Sequence, residues 1–342
     1  MRRTMQFATA AALAAMCCAA DAAAQTTTFN YHTWISPQHQ QNADVIPAWK
    51  KAVEEATQGR VKIEVSYPPG VNPAGWVERV MDGVSDIAWG FHGYNPGRFV
   101  VSQIAELPGL DADAEQCSVA YERTQKRFLD KAGEHKGVKL LTVFCHGAGV
   151  LHTRQPVTSI EQMKGMKIRN GGGVGADVGN ALGFASVPAP ASKVYEILSQ
   201  GVADGTLMPM EVQATFKLKE VTPNMLVLPG GFYYGSFFTL MNQAKFSKLS
   251  KADQAAVDKA SGEVLAQVTG KFWAAGDNRG LAEAKAAGTK ITTASGELAK
   301  QIHEKLAHLE RDWIEKASKK GIDARAALQA LRDEVKKLKT KS

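Results

Sequence analysis

Cysteine is scarce: four in 342 residues, none of them in a C-x-x-C pair. The eight histidines are scattered, so no zinc-ligand spacing arises. The G-x-S-x-G elbow of a strand-turn-helix serine nucleophile is missing, and so is H-E-x-x-H. No apolar run reaches the ~20 residues of a membrane helix, so the chain is not expected to span a membrane. Hydrophobic residues make up 44% and charged residues 22%, which excludes a disordered tail, a collagen and a coiled coil. What is present is ordinary globular composition, in a chain long enough for roughly two domains. The net charge of +7 raises nucleic acid or an acidic membrane as a partner. Lys336, Lys337, Lys339 and Lys341 crowd the last predicted helix, but no aromatic residues interleave with them. Cations there suit the helix dipole, so a solvated helix end is the plainer reading and no nucleic-acid partner is expected.

The first residues read as an address. Arg2 and Arg3 precede an apolar run over 7–20, and Ala22-Ala23-Ala24 offers an A-x-A site. That is the layout of a cleaved secretory signal peptide over residues 1–24. Cys17 and Cys18 admit lipoprotein processing, but Met16 stands where a small residue would be expected. After cleavage only Cys117 and Cys145 remain, in an oxidising compartment. Spacing alone leaves their pairing open, and two buried free thiols are the plainer expectation.

Hydrophobic patterning predicts a β-α-β-α-β order in the N-terminal third. Strands fall near Thr28–His32, Val61–Tyr67 and Ile87–Trp89, with helices near Asn42–Thr57 and Trp76–Met81. An open, mainly parallel α/β sheet follows from that order. The same grammar returns from Met166 to Asp204. Gly83-Val84-Ser85-Asp86 and Gly201-Val202-Ala203-Asp204, 118 positions apart, each join a helix stop to a strand, which reads as two related lobes. From Ser250 the pattern is helical, with one long Ala-rich helix over 251–287 interrupted near Gly270 and Gly276. A short strand, Lys290–Thr293, and two further helices close the chain.

Gly171-Gly172-Gly173-Val174-Gly175 follows a strand and precedes a helix. As a dinucleotide cradle it is weak; anion binding by its backbone N–H groups is the better reading. Arg169, with Asn170 beside it, stands at the C-terminal end of a strand, the rim where open α/β sheets bind ligands. Its guanidinium can hold a carboxylate through two parallel hydrogen bonds.

Gln162-Met163-Lys164-Gly165-Met166-Lys167-Ile168-Arg169 resembles the L-K-G-L-K-I-R block of the DctP-type periplasmic substrate-binding proteins of TRAP (tripartite ATP-independent periplasmic) transporters. Glu55–Val61, Gly83–Asp86 and Val194–Gly205 match further blocks in order and spacing. The resemblance implies a bilobed periplasmic-binding-protein fold, with two βαβ-type lobes around a ligand cleft and a long C-terminal helix joining them. Lobe 1 is expected over 25–146 plus about 237–270, lobe 2 over 147–236, and helices packing on both over 271–342. It further implies capture of an organic acid by cleft closure and delivery to the TRAP membrane permease subunits, with no cofactor, metal or catalysis. The family's carboxylate-gripping arginine maps to Arg169. A second arginine found in many members is absent from Cys145–Val150, which favours a monocarboxylate with a less polar tail, a 2-oxo or hydroxy acid among the candidates. The candidate cleft residues are Arg169, Asn170, His32, Trp34, Trp89, His92, Tyr94, His146, Met208, Glu211 and Tyr233, with Phe91, Met210, Phe232 and Tyr234 near them. Alternatives are a C4-dicarboxylate binder, an ABC-importer binding protein, and an exported α/β enzyme using His32 or His92 as base.

Overall fold

The computed structural model describes residues 26–340; the predicted leader with Cys17 and Cys18, and Lys341, lie outside them. In the first lobe β1 (Thr27–His32), α1 (Ile46–Ala56), β2 (Val61–Ser66), α2 (Trp76–Met81) and β3 (Ile87–Phe91) follow the predicted order. β1 lies between β2 and β3, parallel to both. Next come α3 (Ala114–Thr124) and β4 (Val138–Cys145). The second lobe begins with β5 (Val150–Thr153), β6 (Lys167–Asn170), α4 (Gly173–Leu182) and β7 (Ala185–Pro188). It continues through α5 (Val194–Ser199), β8 (Gly205–Met208), α6 (Val212–Thr215) and β9 (Asn224–Val227). β10 (Ser236–Asn242) returns to the first sheet, whose order is β2-β1-β3-β10-β4.

Both sheets are mixed rather than mainly parallel. β10 runs antiparallel to β3 and β4, and β5 antiparallel to β8 and β9. Connectivity is the reason. A strand arriving from the other lobe enters at the cleft, so it runs against the β-α-β strands, whose C-terminal ends face that cleft.

The repeated turns do equivalent work. Gly83 and Gly201 adopt φ of 73° and 74°, which glycine reaches without steric cost. Asp86 accepts the Asn30 amide at 2.8 Å and Asp204 the Lys167 amide at 2.8 Å. Each carboxylate ties the turn before the third strand of its β-α-β-α-β run to the first strand of that run, β1 or β6.

α7 (Gln243–Ser247), α8 (Lys251–Ala260), α9 (Glu263–Ala286), β11 (Lys290–Thr293), α10 (Gly296–Ser318) and α11 (Ala324–Lys339) complete the chain. The helical stretch after Ser250 breaks at Ser261-Gly262, where Gly262 has φ 59° and bonds to the Leu141 carbonyl. Gly270 and Gly276 instead lie inside α9. A Cβ on Gly270 would meet the Glu115 backbone at 2.5 Å, so that glycine serves close packing, not a break. At its other end a Cβ on Gly280 would meet the Met210 carbonyl at 2.2 Å, so α9 reaches from the first lobe to the second. β11 adds a parallel edge strand to the second sheet beside β9. No helix among the described residues is long and apolar enough to cross a membrane. Lys337 and Lys339 of the basic end pair with Glu334 and Asp111.

One expectation is corrected here. Cys117 on α3 and Cys145 at the end of β4 form a disulfide, with Cα atoms 5.8 Å apart, and both are fully buried. The helix packs directly on the strand, a proximity that spacing in the chain does not encode.

Candidate functional site

The C-terminal strand ends of the two lobes face each other across a cavity lined by residues of both. Strand periodicity builds one wall. Trp89 and Phe91, two residues apart on β3, point the same way, and Phe237 of the antiparallel neighbour β10 lies 5.1 Å from Phe91 between ring centroids. Trp273, from the middle of α9, packs 5.2 Å from Phe237. Trp34, just beyond β1, stacks on Trp89 at 4.8 Å.

Eight of the expected residues line this cavity: Trp34, Trp89, Tyr94, His146, Arg169, Met208, Glu211 and Tyr233, together with Phe91. Three do not. His32 alternates with the core residue Tyr31 and so faces away, bonding Ser85 Oγ through Nδ1 at 2.6 Å. His92 lies behind the sheet, between Ser236 Oγ and His135 Nε2 at 3.0 Å each. Asn170 holds the glycine turn, accepting the Gly172 amide at 3.1 Å and donating to Ser186 Oγ at 2.7 Å. Neither histidine named as a possible base therefore reaches the cavity. Of the nearby candidates, Phe232 and Tyr234 are core side chains. Sequence reasoning missed Ile35, His39, Phe216, Phe237 and Trp273 on the walls. Only Phe237 had a local signal, the largely apolar run of β10.

Arg169 is 2% exposed. Its Nε and Nη2 both donate to the Ala189 carbonyl, which uses one edge of the guanidinium and leaves the Nη1–Nη2 end. No carboxylate among the described residues lies within ion-pairing distance of it. A buried cation without an anion is costly, so the site is built for an anion from outside. Tyr94 stands alongside: burial raises its phenol pKa, while the neighbouring Arg169 charge opposes that rise. Its hydroxyl accepts the Ala191 amide at 2.8 Å, a hydrogen bond from one lobe to the other.

A second polar group lies on the same cavity. Burial pushes the Glu211 carboxyl up, but His39, 3.7 Å away, and the Thr215 hydroxyl outweigh it and hold the carboxyl below its ordinary value. Burial lowers His146 to about 4, leaving a neutral ring at physiological pH.

The glycine turn expected to bind an anion is filled by a carboxyl of the chain itself, Glu106. Glu106 of the first lobe accepts the Val174 amide in the first turn of α4 at 2.9 Å and the Ser236 hydroxyl at 2.7 Å. A Cβ on Gly172 would meet the Gly93 carbonyl at 2.4 Å, so glycine lets the lobes touch here. Burial, only partly offset by these hydrogen bonds, raises Glu106 to about 7 from 4.5. A carboxyl raised on folding costs nothing below the unfolded pKa and progressively destabilises the fold as pH climbs from about 4.5 to 7. Glu106→Gln is therefore expected to gain on the wild type by about 3 kcal/mol across that window. Urea melts at pH 5 and pH 8 check this; a gap between the two proteins that does not widen with pH would refute it.

Residues 31–317 match the family described as bacterial extracellular solute-binding protein, family 7, DctP. The chain belongs to that family. A TRAP periplasmic solute-binding protein from Bordetella bronchiseptica, solved with (R)- and (S)-mandelate, is 36% identical with a TM-score of 0.89, covering 91% of this chain and 99% of that one. A TRAP solute-binding protein from Rhodoferax ferrireducens, in complex with copurified benzoate, is 29% identical with a TM-score of 0.85, covering 93% and 100%. A marine-metagenome TRAP protein specific for aromatic acids, from an unidentified microbe, was co-crystallised with 3-hydroxybenzoate. It is 31% identical with a TM-score of 0.85, covering 92% and 99%. This chain is thus a bilobed solute-binding protein of the TRAP type, and the cleft between its lobes is the place to look for the solute.

Proposed function

We propose that this protein captures an aromatic or similarly hydrophobic monocarboxylate between its lobes, in the periplasm, and delivers it unaltered to a TRAP membrane permease. The observation that carries the reading is a buried, unpaired Arg169 set in a wall of tryptophan, phenylalanine and tyrosine. The acid's carboxylate takes the free Nη1–Nη2 end, and its ring lies among Trp34, Trp89 and Phe237. Among the described residues Arg169 is the only lysine or arginine on the cavity, so a second carboxylate would be buried without a cation; this argues against a C4-dicarboxylate. The mandelate, benzoate and hydroxybenzoate bound by similar proteins support the same class. Closure follows from differential contacts: the Tyr94–Ala191 and Glu106–Val174 bonds exist only with the lobes together, and the ligand adds contacts to both lobes. Export is supported by the predicted leader and by the buried disulfide, which suits an oxidising compartment.

The test is a thermal-shift screen over aromatic monocarboxylates and aliphatic C4-dicarboxylates. A ligand at 100 times its Kd stabilises the folded state by about 2.7 kcal/mol. Aromatic acids are expected to raise Tm and succinate to leave it unchanged. Succinate raising Tm as much as any aromatic acid would sink the specificity, and recovering a chemically altered acid would sink the assignment as a carrier.

A further inference from the structure

The cavity has a second polar pole that carboxylate capture by Arg169 leaves unused. His39 and Glu211 both line it and both are 2% exposed. The Gln41 amide donates to His39 Nδ1 at 3.1 Å. That bond occupies the Nδ1 lone pair and so keeps the ring proton on Nε2. Nε2 is buried and has no hydrogen-bond partner among the described residues. Glu211 Oε1 stands 3.7 Å away, too far for a hydrogen bond. The Thr215 hydroxyl takes the other carboxylate oxygen, Oε2. An unsatisfied donor and an available acceptor therefore face each other, and an atom about 2.8 Å from each fits between them.

The chemistry of the pair decides what that atom is. A hydroxyl donates to Glu211 and accepts from Nε2–H, satisfying both. An ammonium only donates, so Nε2–H would confront another N–H. An ether oxygen only accepts and leaves the carboxylate unserved, and a second carboxylate meets the Glu211 charge directly. Resting on the reading of this cleft as an aromatic-acid site, the geometry points to a hydroxyl-reading subsite formed by His39 Nε2–H and Glu211. It selects aromatic acids bearing a hydroxyl, on the ring or on the carbon next to the carboxylate. In the absence of such a ligand a water has the same donor and acceptor capacity; a ligand hydroxyl replaces it without losing either bond.

Calorimetry with two matched pairs, benzoate with 3-hydroxybenzoate and phenylacetate with mandelate, tests this on the unmodified protein. The hydroxylated member of at least one pair is expected to bind about ten- to a hundredfold more tightly. Whichever pair shows the preference locates the hydroxyl. In His39→Phe and Glu211→Gln the ratio within that pair should fall close to one. Equal affinity within both pairs overturns the subsite, and no variant is needed to see it. A ratio that survives in both variants overturns its assignment to these two residues. If none of the four acids binds, the aromatic-acid reading itself fails and takes the subsite with it.

Discussion

Arg169→Met is expected to abolish the ligand-induced rise in Tm while leaving the Tm of the ligand-free protein equal or higher. The two halves of that outcome have separate causes. With the lobes together the Arg169 charge is buried at 2% exposure with no carboxylate partner, hydrogen-bonded to the Ala189 carbonyl with the Tyr94 hydroxyl alongside. Replacing such a group with an apolar one of similar volume is neutral or stabilising. In the complex the same side chain is the anion's counter-charge, and truncating one partner of a buried, hydrogen-bonded charge pair costs about 2–5 kcal/mol. Affinity should fall by a factor on the order of thirty to several thousand. Arg169→Lys keeps the charge but not the planar end, and its ammonium cannot hold Ala189 and two carboxylate oxygens in one plane. An intermediate loss, about tenfold or more, is expected. Calorimetry with benzoate on the three proteins checks the order. Unchanged affinity in Arg169→Lys would mean that the fork is not what grips the acid.

Removing the disulfide should produce the largest loss of stability away from the cleft. Cys117 and Cys145 are 28 residues apart, and closing a loop of that length in the unfolded chain is worth about 3–4 kcal/mol in the chain-entropy account. The double substitution Cys117→Ala/Cys145→Ala also leaves space between α3 and β4, where both sulfurs are fully buried, adding about 1 kcal/mol. A fall in Tm of roughly 5–10 °C is expected. Urea melts of wild-type protein with and without a reductant separate the two contributions, because reduction leaves the side-chain volume in place. Wild type melting identically in both conditions would show that the bridge contributes nothing to stability.

Much of the fold was legible because it is local. The two β-α-β-α-β runs follow from apolar periodicity and turn residues, and the paired Gly-Val-x-Asp turns announced the duplication that the Asp86 and Asp204 carboxylates carry out. Arg169 was legible for the same reason: a strand end before a glycine turn is a local pattern with one geometric consequence. His32 and His92 were misplaced because they sit on the wrong side of a strand or just past its end, where a one-residue shift reverses the face. His39, Phe216 and Trp273 had no local signal, since α9 and two loops bring them to the cavity from distant parts of the chain.

By itself, then, the sequence determined a duplicated α/β protein with one arginine poised at a strand end. Tertiary structure decided the rest. It set the reversed strands that follow from crossing between lobes, the disulfide, and the Glu106 contact that fills the glycine turn. It also left that arginine buried without a partner among aromatic rings. Those features depend on which surfaces meet when two lobes close, and the pairing of distant surfaces is a property of the folded chain rather than of any window of residues.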